Sequence, residues 1–440
     1  MNTKKKHGKL VVAAILALCA LQYLVLRSDA EAEEIGLWTS NAELATIPME
    51  GEAWLELLTG ADSDTSTPDV ANQDDNTNAR ILAASIVYAR TGDAAYRDKV
   101  VAAIETLVNR GFPGGRTLAW ARETGAYALA ADLIDYRTSD FETWLRNMAE
   151  VYVGTDNRTL LQMYKQRPNN WGTHAFGSLS AIYGYLNDSS RLNEVRSYFV
   201  SGIEGPDPGY KWGSDMSWHP DPTRPRLINP SGSKKQSMDI DGVMPDDMRR
   251  GGSFSEPPAY TQYQWEALQG LVMGARIMDR LGMSVWESGD CAIYRAAYCL
   301  QVKFANSYSS EWQATGDDLW MLPFLDKAYG TTWSNNQDRL WRHGKNAGWG
   351  YVTLATKTTA TDDTSSDDTS SDDTSSTDTS STDTTTTDTT TTDTTTTDTT
   401  TTDTTDDTTT TDNSSTDDET KTKGPKDKDW KNPKAGGRWK

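Results

Sequence analysis

The chain has 440 residues and a formal net charge of −20, with 43 Lys and Arg against 63 Asp and Glu. The acidity is uneven: residues 361–420 hold 17 Asp and 1 Glu with no basic residue, whereas the last twenty residues hold 8 Lys or Arg against 2 Asp. Setting aside the −18 and +6 of those stretches and the +4 of residues 1–30 leaves −12 for residues 31–360, which argues against a nucleic-acid binder but allows an anionic substrate in a locally positive cleft.

Residues 1–30 read as an export signal. Lys4, Lys5, Lys6 and Lys9 precede the apolar run from Leu10 to Leu26, and Ser28-Asp29-Ala30 supplies small residues for cleavage. The run is slightly long for a cleaved signal and slightly short for a membrane span, so a cleaved peptide and a retained anchor both stay open. Either one places the protein outside the cytoplasm: secreted, periplasmic or tethered at the cell surface. Of the three cysteines, Cys19 lies in this signal. Cys291 and Cys299 are too far apart for a disulfide if one straight helix carries both, and no cysteine-rich metal site exists.

Helical periodicity then dominates. It predicts helices over Asn78–Arg90, Ala94–Arg110, Thr117–Tyr136, Ser139–Tyr152, His174–Leu186, Arg191–Ile203, Thr261–Leu281 and Cys291–Ser307. Gly92-Asp93, Gly111 and Asn187-Asp188-Ser189 mark turns, and Ser139 with Glu142 resembles a capping box. Alternating strand patterns are few. Helix pairs on short turns must bury many one-sided apolar faces, and stacking them in a ring or arc does so while leaving a cleft at one end. The expected fold is all-α, an α/α toroid or incomplete barrel of helical hairpins over residues 31–356. The stretch from Gly205 to Tyr260, rich in Gly, Pro, Asp and Trp, is too long for an ordinary connection and is expected to be functional. Residues 357–420 repeat Thr-Thr-Thr-Thr-Asp with nothing apolar to bury, and are expected to be a disordered, self-repelling spacer. Residues 421–440 form a basic tail with Trp430 and Trp439, either simply solvated or an anchor for wall, lipid or polyanion.

Two clusters carry candidate chemistry. Asn169-Asn170-Trp171-Gly172-Thr173-His174 leads into an apolar helix, with Asn a favoured cap. Gly242-Val243-Met244-Pro245-Asp246-Asp247-Met248-Arg249-Arg250-Gly251-Gly252 runs on through Glu256 to Tyr260 and Tyr263. Its two arginines are suited to a carboxylate ligand, or to pairing with Asp246 and Asp247.

Together these clusters resemble the alginate-lyase-type polysaccharide lyases, which carry an N-N-H-G-T-W-type motif followed by an Arg-to-Tyr stretch entering a helix. Leu37-Trp38-Thr39-Ser40, Gly51-Glu52-Ala53-Trp54 and Gly114-Gly115-Arg116-Thr117 look like other parts of such domains, so the resemblance covers roughly residues 35–350. In this chain His and Trp are exchanged, which moves the imidazole to His174, about one helical turn on. The gap from Arg250 to Tyr260 is also longer than the family's.

The resemblance implies β-elimination on a uronic-acid-containing polysaccharide, alginate or a relative such as glucuronan, without a cofactor or metal. A lyase removes the proton at C5 of a uronate and breaks the C4–O bond, so the carboxylate must be neutralised by preorganised donors. Asn170 and Arg250 are expected to do that. Tyr260 serves as acid and base if both groups leave from one face, and His174 is the base if they leave from opposite faces. Asn169, Trp171, Arg249, Tyr263, Trp218, His219, Arg122 and Trp265 are the expected substrate-binding residues, the tryptophans as sugar platforms. The alternatives are a glycoside hydrolase using a carboxylate pair from Asp239, Asp241, Asp246, Asp247 and Glu256, and a non-catalytic surface glycan-binding protein. Asp239-x-Asp241 and Asp317-Asp318 lack a full set of Ca²⁺ ligands.

Overall fold

The computed structural model describes residues 36–357, apart from 336, 338–341 and 347. The signal, the Thr/Asp spacer and the basic tail lie outside the described residues. Helices account for nearly all regular structure. They are α1 Asn41–Ala45, α2 Gly51–Asp62, α3 Thr77–Thr91, α4 Ala94–Arg110, α5 Thr117–Leu133, α6 Ser139–Glu150, α7 Leu160–Gln166, α8 Asn170–Tyr185 and α9 Ser189–Ile203. After them come α10 Pro245–Met248, α11 Tyr263–Arg280, α12 Ser288–Tyr298 and α13 Leu322–Tyr329, with a short 3₁₀ stretch at Gly350–Lys357. A two-residue antiparallel ladder joins Lys234–Lys235 to Met238–Asp239.

Local chemistry explains most boundaries. α3 stops where Gly92 takes a left-handed φ of 70°. Asp93 caps α4 and Asp188 caps α9 through their side-chain oxygens. α6 is capped by Thr138, which accepts from the Phe141 N–H, rather than by the expected Ser139. α8 begins four residues before the expected His174, because Asn169 caps it by accepting from the Trp171 N–H. The helix expected over Cys291–Ser307 is present from Ala292 on and passes through a π-helical stretch at Cys299–Phe304, while Gly289, Asp290 and Cys291 at its start are all left-handed. Cys291 and the buried Cys299 are free thiols.

α5, α8 and α11 form the centre. Each is buried nearly all round, as expected of a helix with no solvated face. α8 packs against α5 on one side and α11 on the other, while α3 packs on α5 and α2 on α3. α4, α6, α7, α9 and α12 lie against these as a second layer. The 3₁₀ stretch at the end of the described residues returns to α1 and α2. The three central helices run in the same direction. Their C-terminal ends meet at Leu37, whose N–H donates to Asp132 of α5 (2.8 Å) and whose side chain faces Gly184 of α8, while Arg280 of α11 donates to the Gly36 carbonyl (2.7 Å). Their N-terminal turns gather at the opposite end.

Gly270 sets the closeness of α8 and α11. A Cβ there would lie 2.2 Å from the Thr173 carbonyl and 2.4 Å from the His174 nitrogen, both backbone atoms. Gly270→Ala is therefore expected to push the helices apart and lower stability by about 1–3 kcal/mol in urea denaturation, with far-ultraviolet circular dichroism retained.

At the other end, Glu43 closes a capping box with Ser40 and binds Arg280. Burial pushes its carboxyl up, but Arg280, the Ser40 N–H and Arg276 outweigh burial and bring it down to about 2. A depressed carboxylate stabilises the fold above the ordinary value and ceases to do so as pH falls through the folded one. Glu43→Gln is expected to cost about 1–2 kcal/mol near neutral pH, and the gap from the native chain should narrow below about pH 4.5 as measured by denaturation at stepped pH.

Candidate functional site

The N-terminal turns of the central helices converge on Glu266, the fourth residue of α11. This carboxylate is buried. Its Oε2 accepts from Arg122 Nη2 of α5 at 2.7 Å, and its Oε1 accepts from Lys345 Nζ. His174 of α8 places Nε2 3.7 Å from the same Oε2, beyond hydrogen-bond range. Burial alone pushes Glu266 up, but Arg122, Lys345 and His174 hold it well below the usual carboxylate range. Lys345 is fixed from both sides. Asn78 of α3 donates to the Lys345 carbonyl at 3.2 Å, and Gln269 of α11 accepts from the Lys345 N–H at 2.9 Å. Gln269 also donates to Asp318 at 2.9 Å, and Asp317 lies 3.9 Å from Lys345 Nζ.

Asn170 stands one turn before His174 on the same face of α8. Both are buried, and their four side-chain nitrogen and oxygen atoms have no hydrogen-bond partner. Buried polar groups left unpaired cost about 1–3 kcal/mol each, so four such atoms on one face of α8 single it out as the candidate site. Burial lowers the His174 imidazole to about 4, against the opposing pull of Glu266, so the ring is neutral at physiological pH.

The irregular segment holds the start of α8. Asp246 on α10 accepts from Asn169 Nδ2 (2.9 Å), the Gly213 N–H (2.8 Å) and Arg249 Nε (2.8 Å). Asp247 accepts from the Asn170 N–H (2.9 Å), and burial pushes its carboxyl well up. The arginines thus divide. Arg249 braces Asp246, and Arg250 lies over the Tyr263 ring at 4.4 Å. Tyr260 is 44 % exposed, edge-on to Trp312 at 5.2 Å. Its hydroxyl is pushed up by burial and then by Asp318 and Glu311.

Several expected binding residues serve the interior instead. Trp218 and Trp265 are buried, and their indole N–H groups donate to the Gly252 and Trp312 carbonyls at 2.8 Å each. Neither ring offers a face to a sugar. Trp171 is buried with the Arg167 guanidinium 5.0 Å over it. His219 is buried against the edge of Trp212, at 5.0 Å. Of the candidate carboxylates, Asp239 is paired with Lys303 (2.9 Å) and Asp241 with Arg295 (2.5 Å). Glu266 and Lys345 were not anticipated. The only local signal for Glu266 was its place in the first turn of a helix, where a carboxylate is favoured.

Removing one partner from a buried ion pair strands the other. Arg122→Met is expected to lower stability by about 3–5 kcal/mol, and adding Glu266→Gln should recover part of that loss in a double-mutant cycle read by urea denaturation.

Compared with known proteins, the chain matches no family model and no curated protein. What the cluster can do follows from its own chemistry.

Proposed function

We propose that residues 36–357 are a polysaccharide lyase on an α/α toroid that cleaves a uronic-acid-containing polymer, alginate or a relative such as glucuronan, by β-elimination outside the cytoplasm. The observation that carries this reading is the pair of buried, unpartnered side chains Asn170 and His174 on one face of α8, with His174 next to the Glu266 carboxylate that Arg122 and Lys345 bind. A uronate carboxylate needs amide and cationic donors, and the C5 proton needs a neutral base within reach. Asn170 supplies the amide, Arg122 and Lys345 add charge to that of Arg250, and His174 is neutral. Tyr260, held protonated, suits the leaving oxygen. The toroid is supported by the succession of packing from α2 through α3, α5 and α8 to α11, with the 3₁₀ stretch at Gly350–Lys357 returning to α2.

A glycoside hydrolase is the second reading, favoured by one observation. Asp318 is pushed well up, first by burial and then by Asp317, while Glu266 is held ionised, a split suited to an acid and its partner. Against it, both Glu266 oxygens are already engaged. The alternative of a binding protein without turnover predicts glycan retention and no products.

The purified chain should be incubated with alginate, glucuronan and hyaluronan while ultraviolet absorbance follows the conjugated double bond that elimination creates. Absorbance on at least one polymer is expected, and silence across the panel removes the lyase reading. Reducing ends without the double bond, lost in Asp318→Asn, would point to hydrolysis. Asn170→Ala and Tyr260→Phe are each expected to reduce turnover by at least about 100-fold with circular dichroism unchanged.

A further inference from the structure

Three cationic or titratable side chains from distant parts of the sequence surround one carboxylate. Arg122 comes from α5, His174 from α8 and Lys345 from the stretch after α13, all against Glu266 of α11. Two of the three are hydrogen-bonded to it. The imidazole is not: 3.7 Å is too long, and both ring nitrogens lack partners. A carboxylate that merely anchored the histidine would hold one of its nitrogens. This one stands close enough to act on the ring's charge while leaving both buried nitrogens without a hydrogen bond.

We propose that Glu266 is a positioning residue that makes His174 the proton acceptor of the site, by fixing Arg122 and Lys345 around it and by supplying the counter-charge for the imidazolium. The identity of the proton rests on the lyase reading above; the electrostatic arrangement does not. In the elimination, the C5–H bond breaks and an N–H bond forms on His174. The electron pair moves into the C4–C5 bond as the C4–O bond breaks, and the Tyr260 hydroxyl proton goes to the departing oxygen. His174 then loses its proton to water and Tyr260 regains one. The new imidazolium lies 3.7 Å from an ionised carboxylate in a buried setting, where a unit charge is felt much more strongly than in water. Tyr260 is the poorer acceptor, since burial and the neighbouring Asp318 and Glu311 all favour its protonated form.

The charged groups acting on the ring are Glu266, which favours imidazolium, and Arg122 and Lys345, which disfavour it. Asp317 and Asp318 lie beyond them, against Lys345 and Gln269. Opposite signs follow for two variants. The His174 titration should be followed by ¹⁵N-edited NMR of the imidazole in the full chain without substrate, alongside the acidic limb of kcat/KM. Lys345→Met, whose side chain is partly exposed and suited to replacement, should move the midpoint up from about 4 towards 6.5 and the acidic limb with it. Glu266→Gln should move both down and lower kcat by about 100-fold, with a smaller effect on KM. Should Glu266→Gln fail to fold, Glu266→Asp takes its place, with a smaller downward shift and partial activity.

Opposed shifts support the proposal. Shifts in the same direction, or an unmoved imidazole with turnover lost, would mean that Glu266 only holds the fold together, and would overturn it. Opposed NMR shifts in a protein that cleaves no uronate polymer would uphold the positioning role while removing the lyase reading.

Discussion

The Glu266 carboxylate is the constraint around which the molecule is arranged. Removing a carboxylate from water is costly, and the cost is offset only by close and well-directed partners. Here Arg122 and Lys345 each donate to one oxygen, and the site lies in the first turn of α11, where the helix favours negative charge. Arg122 reaches it from α5 and His174 stands beside it from α8 because the three helices run in the same direction, and Gly270 lets α8 and α11 lie very close. The charge distribution at the other end is complementary. Arg276 and Arg280 occupy the final turns of α11 and meet Glu43 and the backbone of Gly36 and Trp38.

The long segment between α9 and α11 is a brace. Asp246 and Asp247 grip the two asparagines that start α8, and Gln264 of α11 holds Met244 through both its amide atoms. Arg295 of α12 reaches back to Asp241 and the Asn229 carbonyl. Irregular backbone is thereby fixed to three helices. This explains how a stretch with almost no regular structure can hold buried groups such as Asp247 and His219 in defined places.

Much of the fold was legible because periodicity and turn chemistry agree. α4 lies at its expected limits, and α3 and α9 within two residues of theirs, since Gly92, Asp93, Gly111 and Asp188 punctuate them. α7 and α13 escaped notice because they are short. The start of α8 escaped because Asn170 to Thr173 reads as loop until the Asn169 cap is seen. The site was half legible. Asn169, Asn170 and His174 stand out by type and spacing, and Arg250 and Tyr263 do meet. Lys345 sits in a stretch of Gly, Asn and Trp without periodicity, and its partner is 79 positions away, a separation that no local pattern encodes. Trp218 and Trp265 are buried, and a tryptophan in a core and one under a sugar look alike in sequence.

The bond between Asn78 and the stretch at Lys345 and Asn346 spans almost the whole described length, 268 positions for Asn346. During synthesis the helices α3 to α11 emerge first and can form most of their local contacts, yet the carboxylate at their meeting point still lacks its second cation. Loop closure over such a distance is slow, and it comes last. The nascent chain therefore carries Arg122, His174 and Glu266 for much of its production without the second cation that balances the carboxylate. Completion of the charged cluster therefore waits on the last stretch of the described residues, which makes its appearance a report that these distant segments have met.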